Sequence, residues 1–122
     1  MSDLNFATLF QHETDLIEID AGQPLFKEGD DLNDTMYVLM AGAAEIQVNG
    51  KVVEIAKAGT ILGEMAMIDK GARSATVVAK SNCKLIVIGR RRFDFLVQQT
   101  PNFAMSVMRV IANRLRRSDS AL

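Results

Sequence analysis

Apolar and polar residues alternate in short runs through the middle of the chain, from about residue 15 to residue 88. The clearest run, residues 44–48, ends at Asn49-Gly50, a dipeptide typical of tight β-hairpins, and residues 51–56 form the run that pairs back across it. Glycine and acidic residues close most of the other runs. Short strands separated by turn signals at such regular intervals predict an antiparallel β-roll or barrel.

Helical spacing replaces the alternation at both ends of the chain. Apolar residues at mixed helical spacing predict a short first helix over about residues 3–12. Residues 90–99 favour a second helix, which Thr100-Pro101 interrupts. Thr100 is a good N-cap and Pro101 a favoured first residue for a third helix, which runs to Arg117 and leaves residues 118–122 as a frayed tail. The apolar stripe of this third helix comprises Phe103, Val107, Met108, Ile111 and Leu115.

The composition is that of one compact domain, taken as residues 1–122, and it removes several kinds of chemistry. Hydrophobic residues make up 48% and charged residues 24% of the chain, and the formal net charge is −1, so charge gives no general reason to bind nucleic acid or anionic membranes. His12 and Cys83 are the only histidine and cysteine, which excludes an internal disulfide and a zinc site of such ligands. No apolar run is long enough to span a bilayer and no secretory signal is evident, so we expect a cytoplasmic protein.

The segment from Gly63 to Ala75 carries the chemistry of the sequence. Gly63 allows a ligand to approach the backbone closely, and a short helix that begins after it offers backbone N–H groups to an anion. Arg73 returns on the next strand with a planar guanidinium that matches a phosphate. Glu64 is an acceptor when ionised and suits a sugar hydroxyl. The alternative is a surface ion pair between Glu64 and Arg73, which would contribute about 0–1 kcal/mol.

Residues 62–77 resemble the phosphate-binding cassette of cyclic-nucleotide-binding domains, such as those of the catabolite activator protein and of cyclic-AMP-dependent protein kinase regulatory subunits. The resemblance continues outside the cassette, in Phe26-Lys27-Glu28-Gly29-Asp30, in Tyr37-Val38-Leu39-Met40-Ala41-Gly42 and at Gly59. It implies a mainly β fold: an eight-stranded antiparallel β-roll of the jelly-roll kind, with a helix before it, a short cassette helix within it and a helix pair over residues 90–117 after it.

The same resemblance implies a role for each cassette residue. Glu64 would accept the ribose 2′-hydroxyl of a cyclic nucleotide, and Arg73 would pair with its cyclic phosphate. The other implied site residues are Gly63 at the close approach, the Met65, Ala66 and Ala75 amides of the phosphate cradle, Ser74 beside the phosphate or the purine, and Ile46, Val53 and Leu62 as apolar walls. No catalytic residue and no metal site is expected.

The resemblance further implies a non-catalytic receptor for cyclic AMP or cyclic GMP. In this family alanine after the arginine tends to accompany cyclic AMP, and threonine tends to accompany cyclic GMP. Ser74 lies between the two, and the run Arg73-Ser74-Ala75 favours cyclic AMP.

The C-terminal end of the sequence determines what we expect of the output. Because few residues follow Arg117, we expect no DNA-reading domain and a thin cover over the purine. We expect a monomer or weak dimer that acts on a separate protein partner. Ligand would shift the packing of the C-terminal helices, with Thr100-Pro101 as the hinge. The basic run at residues 90–92 is interpreted as a charged surface junction rather than a nucleic-acid site.

Two other classes of function are open alternatives. An enzyme on a similar roll would need metal ligands or a base near the phosphate, and neither the strands nor the cassette supplies them. A structural or interaction module, with a degenerate pocket or one for a different ligand, would have no reason to keep both Glu64 and Arg73. Binding of a cyclic nucleotide would separate this last class from the receptor.

Overall fold

The computed structural model describes residues 5–120, with the side chains of residues 5–117. Its elements are, in chain order, α1 (Phe6–Leu9), β1 (Ile17–Ile19), β2 (Pro24–Phe26), β3 (Thr35–Ala41), β4 (Ala43–Val48), β5 (Lys51–Lys57), β6 (Ile61–Leu62), a 3₁₀ helix (Glu64–Met67), β7 (Thr76–Ala79), β8 (Cys83–Gly89), α2 (Arg90–Gln99) and α3 (Phe103–Ser120). None of the described helices is both long enough and apolar enough to cross a lipid bilayer.

The strands form two four-stranded antiparallel sheets, with the orders β1-β8-β3-β6 and β2-β7-β4-β5. Alternate residues of β3 face opposite ways, because side chains alternate across a strand. Leu39 packs with Ile46 and Val77 of the second sheet in one buried cluster. Val38 packs with Phe103 and the other helical residues in a second cluster. The predicted fold, mainly β with eight antiparallel strands and flanking helices, is confirmed.

The β4–β5 hairpin has the predicted turn, but its register is shifted. Asn49-Gly50 has positive φ at both residues, 52° and 79°, as a type I′ turn requires. The register shifts between Ile46 and Gln47, so that Ile46 pairs with Glu54. Val53 is therefore the extra residue of a β-bulge. As a result, Glu54 rather than Val53 shares a face with Ile46.

The first helix is shorter than predicted. It covers Phe6–Leu9, and the side chain of Asn5 caps it by accepting hydrogen bonds from two backbone amides of the first turn. The predicted start at residue 3 lies outside the described residues. The helix ends at Phe10, whose φ of −110° and ψ of 20° are not helical, instead of continuing to residue 12. One turn is enough to bury both Phe6 and Phe10, and the residues that follow Phe10 are turns.

The break between the two C-terminal helices differs from the prediction in one respect. α2 has the predicted bounds, but Thr100 ends α2 instead of capping α3: it is extended, with φ −112° and ψ 110°, and its amide donates to the carbonyl of Leu96. A residue before proline is disfavoured in the helical region, which is why α2 ends here. α3 begins at Phe103, after the left-handed Asn102, and its backbone continues to Ser120 instead of ending at the predicted Arg117.

The apolar stripe of α3 is only partly buried. Phe103, Val107 and Ile111 are buried, whereas Met108 and Leu115 are exposed, contrary to the predicted stripe. Residues four apart advance by about 40° around a helix, because each residue turns about 100°. The row that starts at Phe103 has therefore rotated away from the core when it reaches Leu115.

The basic run at the start of α2 is tied to other parts of the chain. Nη2 of Arg90 donates to the carbonyl of Met67, at the end of the 3₁₀ helix, at 2.9 Å, and the same nitrogen lies 2.9 Å from the carboxylate of Asp34. Arg92 lies 3.0 Å from the carboxylate of Glu13. These contacts fit the interpretation as a charged junction, and the hydrogen bond of Arg90 joins α2 to the cassette segment.

Candidate functional site

A cavity of about 430 Å³ opens between β4, β5 and β7, the segment around the 3₁₀ helix, and α3. Its volume is within the range of pockets that bind small organic ligands. The lining residues are Phe26, Leu32, Ile46, Val48, Asn49, Lys51, Val53, Glu54, Gly63, Glu64, Met65, Arg73, Ser74, Ala75, Val77, Ile111, Arg114, Leu115 and Arg117.

Gly63 forms the turn that leads from β6 into the 3₁₀ helix. Its φ of 70° lies in the left-handed region, where a side chain is disfavoured. A Cβ added at this position would lie 2.6 Å from Nη1 of Arg73. The carbonyl of Gly63 also accepts a hydrogen bond from the same nitrogen at 3.1 Å. Gly63 therefore permits the turn and leaves room for the arginine.

Arg73 is a buried arginine, 5% exposed, on the wall of the cavity. Its Nη1 donates to the Gly63 carbonyl, its Nη2 donates to the Thr35 carbonyl at 2.9 Å, and its guanidinium lies 4.2 Å from the ring centroid of Phe26. Its Nε is buried and has no hydrogen-bond partner among the described residues. Burial lowers the pKa of Arg73, although Tyr37 and nearby carboxylates oppose the shift. A buried cation with an unpartnered donor is suited to an anionic ligand.

Glu64 is also buried, and its partner is an arginine of α3. Oε2 of Glu64 lies 2.8 Å from Nη1 of Arg114. Nε and Nη2 of Arg114 donate to the two carboxylate oxygens of Glu54, both at 3.1 Å. Burial alone lowers the pKa of Arg114, but the two carboxylates raise it above its ordinary value. The alternative of a surface ion pair between Glu64 and Arg73 is therefore wrong, since both are buried and Glu64 pairs with Arg114.

The structure brings most of the predicted site residues to one cavity. Those that line it are Ile46, Val53, Gly63, Glu64, Met65, Arg73, Ser74 and Ala75. Leu62 and Ala66 are not among the lining residues. The Leu62 side chain packs in the core between the sheets, and the Ala66 amide donates to the Gly63 carbonyl at 3.2 Å within the 3₁₀ helix. A wall at Leu62 and a cradle amide at Ala66 are thus not supported, while the roles of the other residues stay predictions.

Several lining residues are absent from the sequence-based set. Phe26 underlies Arg73, Glu54 enters through the bulge of β5, and α3 contributes Ile111, Arg114 and Leu115. The sequence contained one signal for Glu54: it is an acidic residue within the otherwise apolar run of β5, which could have indicated a role in the site. No local signal indicates that the end of α3 lies across the cavity.

Within residues 5–117, no group of three or more histidine, cysteine or acidic side chains is arranged to hold a metal ion. The expectation of a metal-free site stays a prediction.

The family model described as the cyclic nucleotide-binding domain matches residues 16–100, more than half of the chain. The chain belongs to this family. The resemblance inferred from residues 62–77 is thereby confirmed, and the cyclic nucleotide-binding domain extends over the whole roll and α2.

The relatives of this domain include proteins named for cyclic AMP and for cyclic GMP. The chain is 37% identical over 90 residues, 72% of the chain and 22% of the relative, to a cAMP-dependent protein kinase regulatory subunit of Emericella nidulans. It is 37% identical over 73 residues, 60% of the chain and 7% of the relative, to a cGMP-dependent protein kinase of Toxoplasma gondii. The crystal structure of the Thermus thermophilus catabolite activator protein superposes with a TM-score of 0.75 at 25% identity, over 93% of this chain and 60% of that one. The chain thus spans less than a quarter of the length of both curated kinase relatives.

We expect Gly63→Ala to destabilise the domain by about 1–3 kcal/mol, from left-handed strain and from displacement of Arg73. The matched control is Gly50→Ala, because Gly50 has a similar positive φ, 79°, but nothing lies within 4 Å of an added Cβ. Urea unfolding of both variants separates the strain from the steric contact. Equal losses in the two variants would show that contact with Arg73 is unimportant.

Proposed function

We propose that this domain is a non-catalytic sensor that binds a cyclic nucleoside monophosphate, with cyclic AMP preferred to cyclic GMP. The observation that carries the proposal is the buried Arg73 on the wall of a cavity of suitable size, since its Nε has no hydrogen-bond partner among the described residues. A cyclic phosphate supplies the anionic oxygen that this donor lacks. Membership of the cyclic nucleotide-binding family supports the same ligand class.

The cavity is lined by both charged and apolar residues, which suits the different parts of a nucleotide. Arg73 would anchor the phosphate, with Ser74 and the amides of Met65 and Ala75 beside it. The Glu64 carboxylate would also accept a hydrogen bond from the ribose 2′-hydroxyl. A carboxylate can accept several hydrogen bonds, and Arg114 contacts only its Oε2. The purine would contact the apolar residues, which include Ile46, Val48, Val53, Val77 and Leu115.

Two arginines already engage the carboxylates of the cavity, which supports a binding role over a catalytic one. Glu64 is paired with Arg114, and Glu54 with Arg114 and Arg117. Ion pairs of this kind hold side chains in fixed positions, as a binding site requires, and no histidine is among the described residues that line the cavity. Conversion of cyclic AMP to a linear product by the purified protein would revive the enzyme alternative.

Cyclic GMP is the second candidate ligand, because Ser74 lines the cavity at the position that distinguishes the two nucleotides in the family resemblance. The similarity to a cGMP-dependent protein kinase of Toxoplasma gondii supports this alternative. We further propose that ligand shifts the packing of α2 and α3, since Ile111 and Leu115 of α3 contact the same cavity as the cassette. The separate protein partner and the monomeric or weakly dimeric state stay predictions.

Calorimetric titration with cyclic AMP, cyclic GMP and 2′-deoxy cyclic AMP tests the ligand and the role of Glu64 together. We expect the wild-type domain to bind cyclic AMP most tightly and to lose about 1.5–3 kcal/mol with the 2′-deoxy compound, because a hydrogen bond to a charged group is lost. This penalty should shrink in Glu64→Gln. Equal binding of cyclic AMP and its 2′-deoxy analogue by the wild type would contradict the ribose role. Failure of a well-folded protein to bind any of the three would favour the interaction module.

A further inference from the structure

α3 forms one side of the cavity, and two of its arginines contact the carboxylate of Glu54 on the sheet. Glu54 lies on β5 opposite Ile46, and its side chain is only 14% exposed. Its two oxygens accept hydrogen bonds from Nε and Nη2 of Arg114, each at 3.1 Å. Nη1 of Arg117 lies 2.8 Å from the same carboxylate. Two arginines about one turn apart on α3 thus converge on a single side chain of the sheet.

Arg114 extends this contact to the cassette. Its Nη1 lies 2.8 Å from Glu64, so that Glu54, Glu64, Arg114 and Arg117 form one cluster, called the Glu54 cluster below. The cluster joins the hairpin, the cassette and α3. Leu115 lies between the two arginines in sequence and lines the cavity. The place of this apolar side chain over the cavity therefore depends on the ion pairs on either side of it.

The charge balance of the cluster makes Glu54 its critical member. Two carboxylates face two guanidiniums, and Arg73 adds a further positive charge on the cavity wall. Neutralising Glu54 removes the attraction to both arginines of α3. It also leaves them near each other with only Glu64 to balance them, and like charges one turn apart destabilise a helix. The last turns of α3 would then move away from the hairpin.

We propose that Glu54 is a positioning residue that keeps α3 seated as the cover of the cavity, so that its charge determines how long a bound ligand stays. Both of its oxygens are engaged by arginines, which assigns it to holding the helix rather than to contacting the ligand. The effect on residence time rests on the proposed function, whereas the seating of α3 does not.

The first test compares Glu54→Gln with the wild type in stopped-flow measurements with a fluorescent cyclic AMP analogue. We expect the dissociation rate to rise about tenfold, because breaking a buried charge pair acts mainly on dissociation. The association rate should not fall. The matched control is Glu45→Gln, another half-buried glutamate of the same sheet, whose carboxylate accepts from Gln47 at 3.2 Å and does not line the cavity. This control should leave both rates unchanged.

The second test needs no ligand. In hydrogen exchange of the ligand-free domain, amides of residues 111–117 should exchange about tenfold faster in Glu54→Gln than in the wild type or Glu45→Gln, because the opened state of this helical segment becomes more populated. Arg117→Gln should also speed dissociation, and the double variant Glu54→Gln/Arg117→Gln should exceed Glu54→Gln by less than the sum of the single effects. Arg117 is the exposed end of the cluster, so this variant serves if Glu54→Gln does not fold.

The possible outcomes separate the two proposals. Unchanged dissociation and unchanged exchange in both Glu54→Gln and Arg117→Gln would overturn the positioning role and leave the binding function intact. Faster exchange with no nucleotide binding by the wild type would overturn the proposed ligand and support the seating of α3. If the effects of Glu54→Gln and Arg117→Gln on the dissociation rate were fully additive in the double variant, the two residues would not act together in one cluster.

Discussion

Cyclic AMP should bind to the Arg73→Ala variant about 2–5 kcal/mol more weakly than to the wild-type domain, since the substitution leaves the bound phosphate without its charged partner in a buried site. Arg73 is 5% exposed and its Nε lacks a partner among the described residues, so the ligand would supply the missing interaction. Calorimetric titration of both proteins measures the difference.

Two further variants make this result specific. Arg73→Lys keeps the charge but loses the planar fork, so its affinity should lie between those of the wild type and the alanine variant. Arg91→Ala removes an exposed arginine that does not line the cavity, and it should bind as the wild type does. Equal affinity of Arg73→Ala and wild type would exclude Arg73 as the phosphate anchor.

Phe103→Ala is expected to lower the free energy of unfolding by about 3–5 kcal/mol, the usual cost of removing a fully buried aromatic side chain. Phe103 is 0% exposed, and its ring meets Phe6 of α1 and Phe93 of α2 edge-on, with centroids 6.0 Å and 5.8 Å apart. It therefore holds α3 to the rest of the domain. Urea unfolding followed by circular dichroism measures the change.

Phe95→Ala is the matched control, because Phe95 also belongs to the C-terminal helix pair but is 61% exposed. Its unfolding free energy should stay within about 0.5 kcal/mol of the wild type. Since α3 lines the cavity, Phe103→Ala should also weaken nucleotide binding and Phe95→Ala should not. Similar stability of the two variants would mean that α3 does not depend on the packing of Phe103.

Elements with local signals were predictable from the sequence. The Asn49-Gly50 turn, the bounds of α2 and the contiguous cassette from Gly63 to Ala75 all depend on neighbouring residues. The cassette could be predicted as a unit because Glu64 directly follows Gly63 and Arg73 comes only ten residues after this glycine. The pairing of Glu64 with Arg114 depends on the position of α3, which no neighbouring residue encodes.

Part of the cavity wall could not be predicted from neighbouring residues in the sequence. A regular two-residue hairpin places Val53 opposite Ile46, and the sequence-based wall accordingly contained Val53 and omitted Glu54. The bulge moves the register by one residue, which brings Glu54 to the inward face. A bulge depends on the packing of the whole sheet, so the alternation of apolar residues alone does not predict it. The exposure of Leu115, in contrast, follows from helix geometry, because a row of residues four apart turns by about 40° at each step.

The contacts of Arg73 with the backbone have a thermodynamic consequence for binding. The carbonyls of Gly63 and Thr35 and the ring of Phe26 already fix its guanidinium. Immobilising a long side chain when a ligand arrives costs about 0.5–1.5 kcal/mol of conformational entropy. In this domain that freedom is lost during folding, so an arriving anion meets a preorganised donor and its binding carries no such penalty at Arg73.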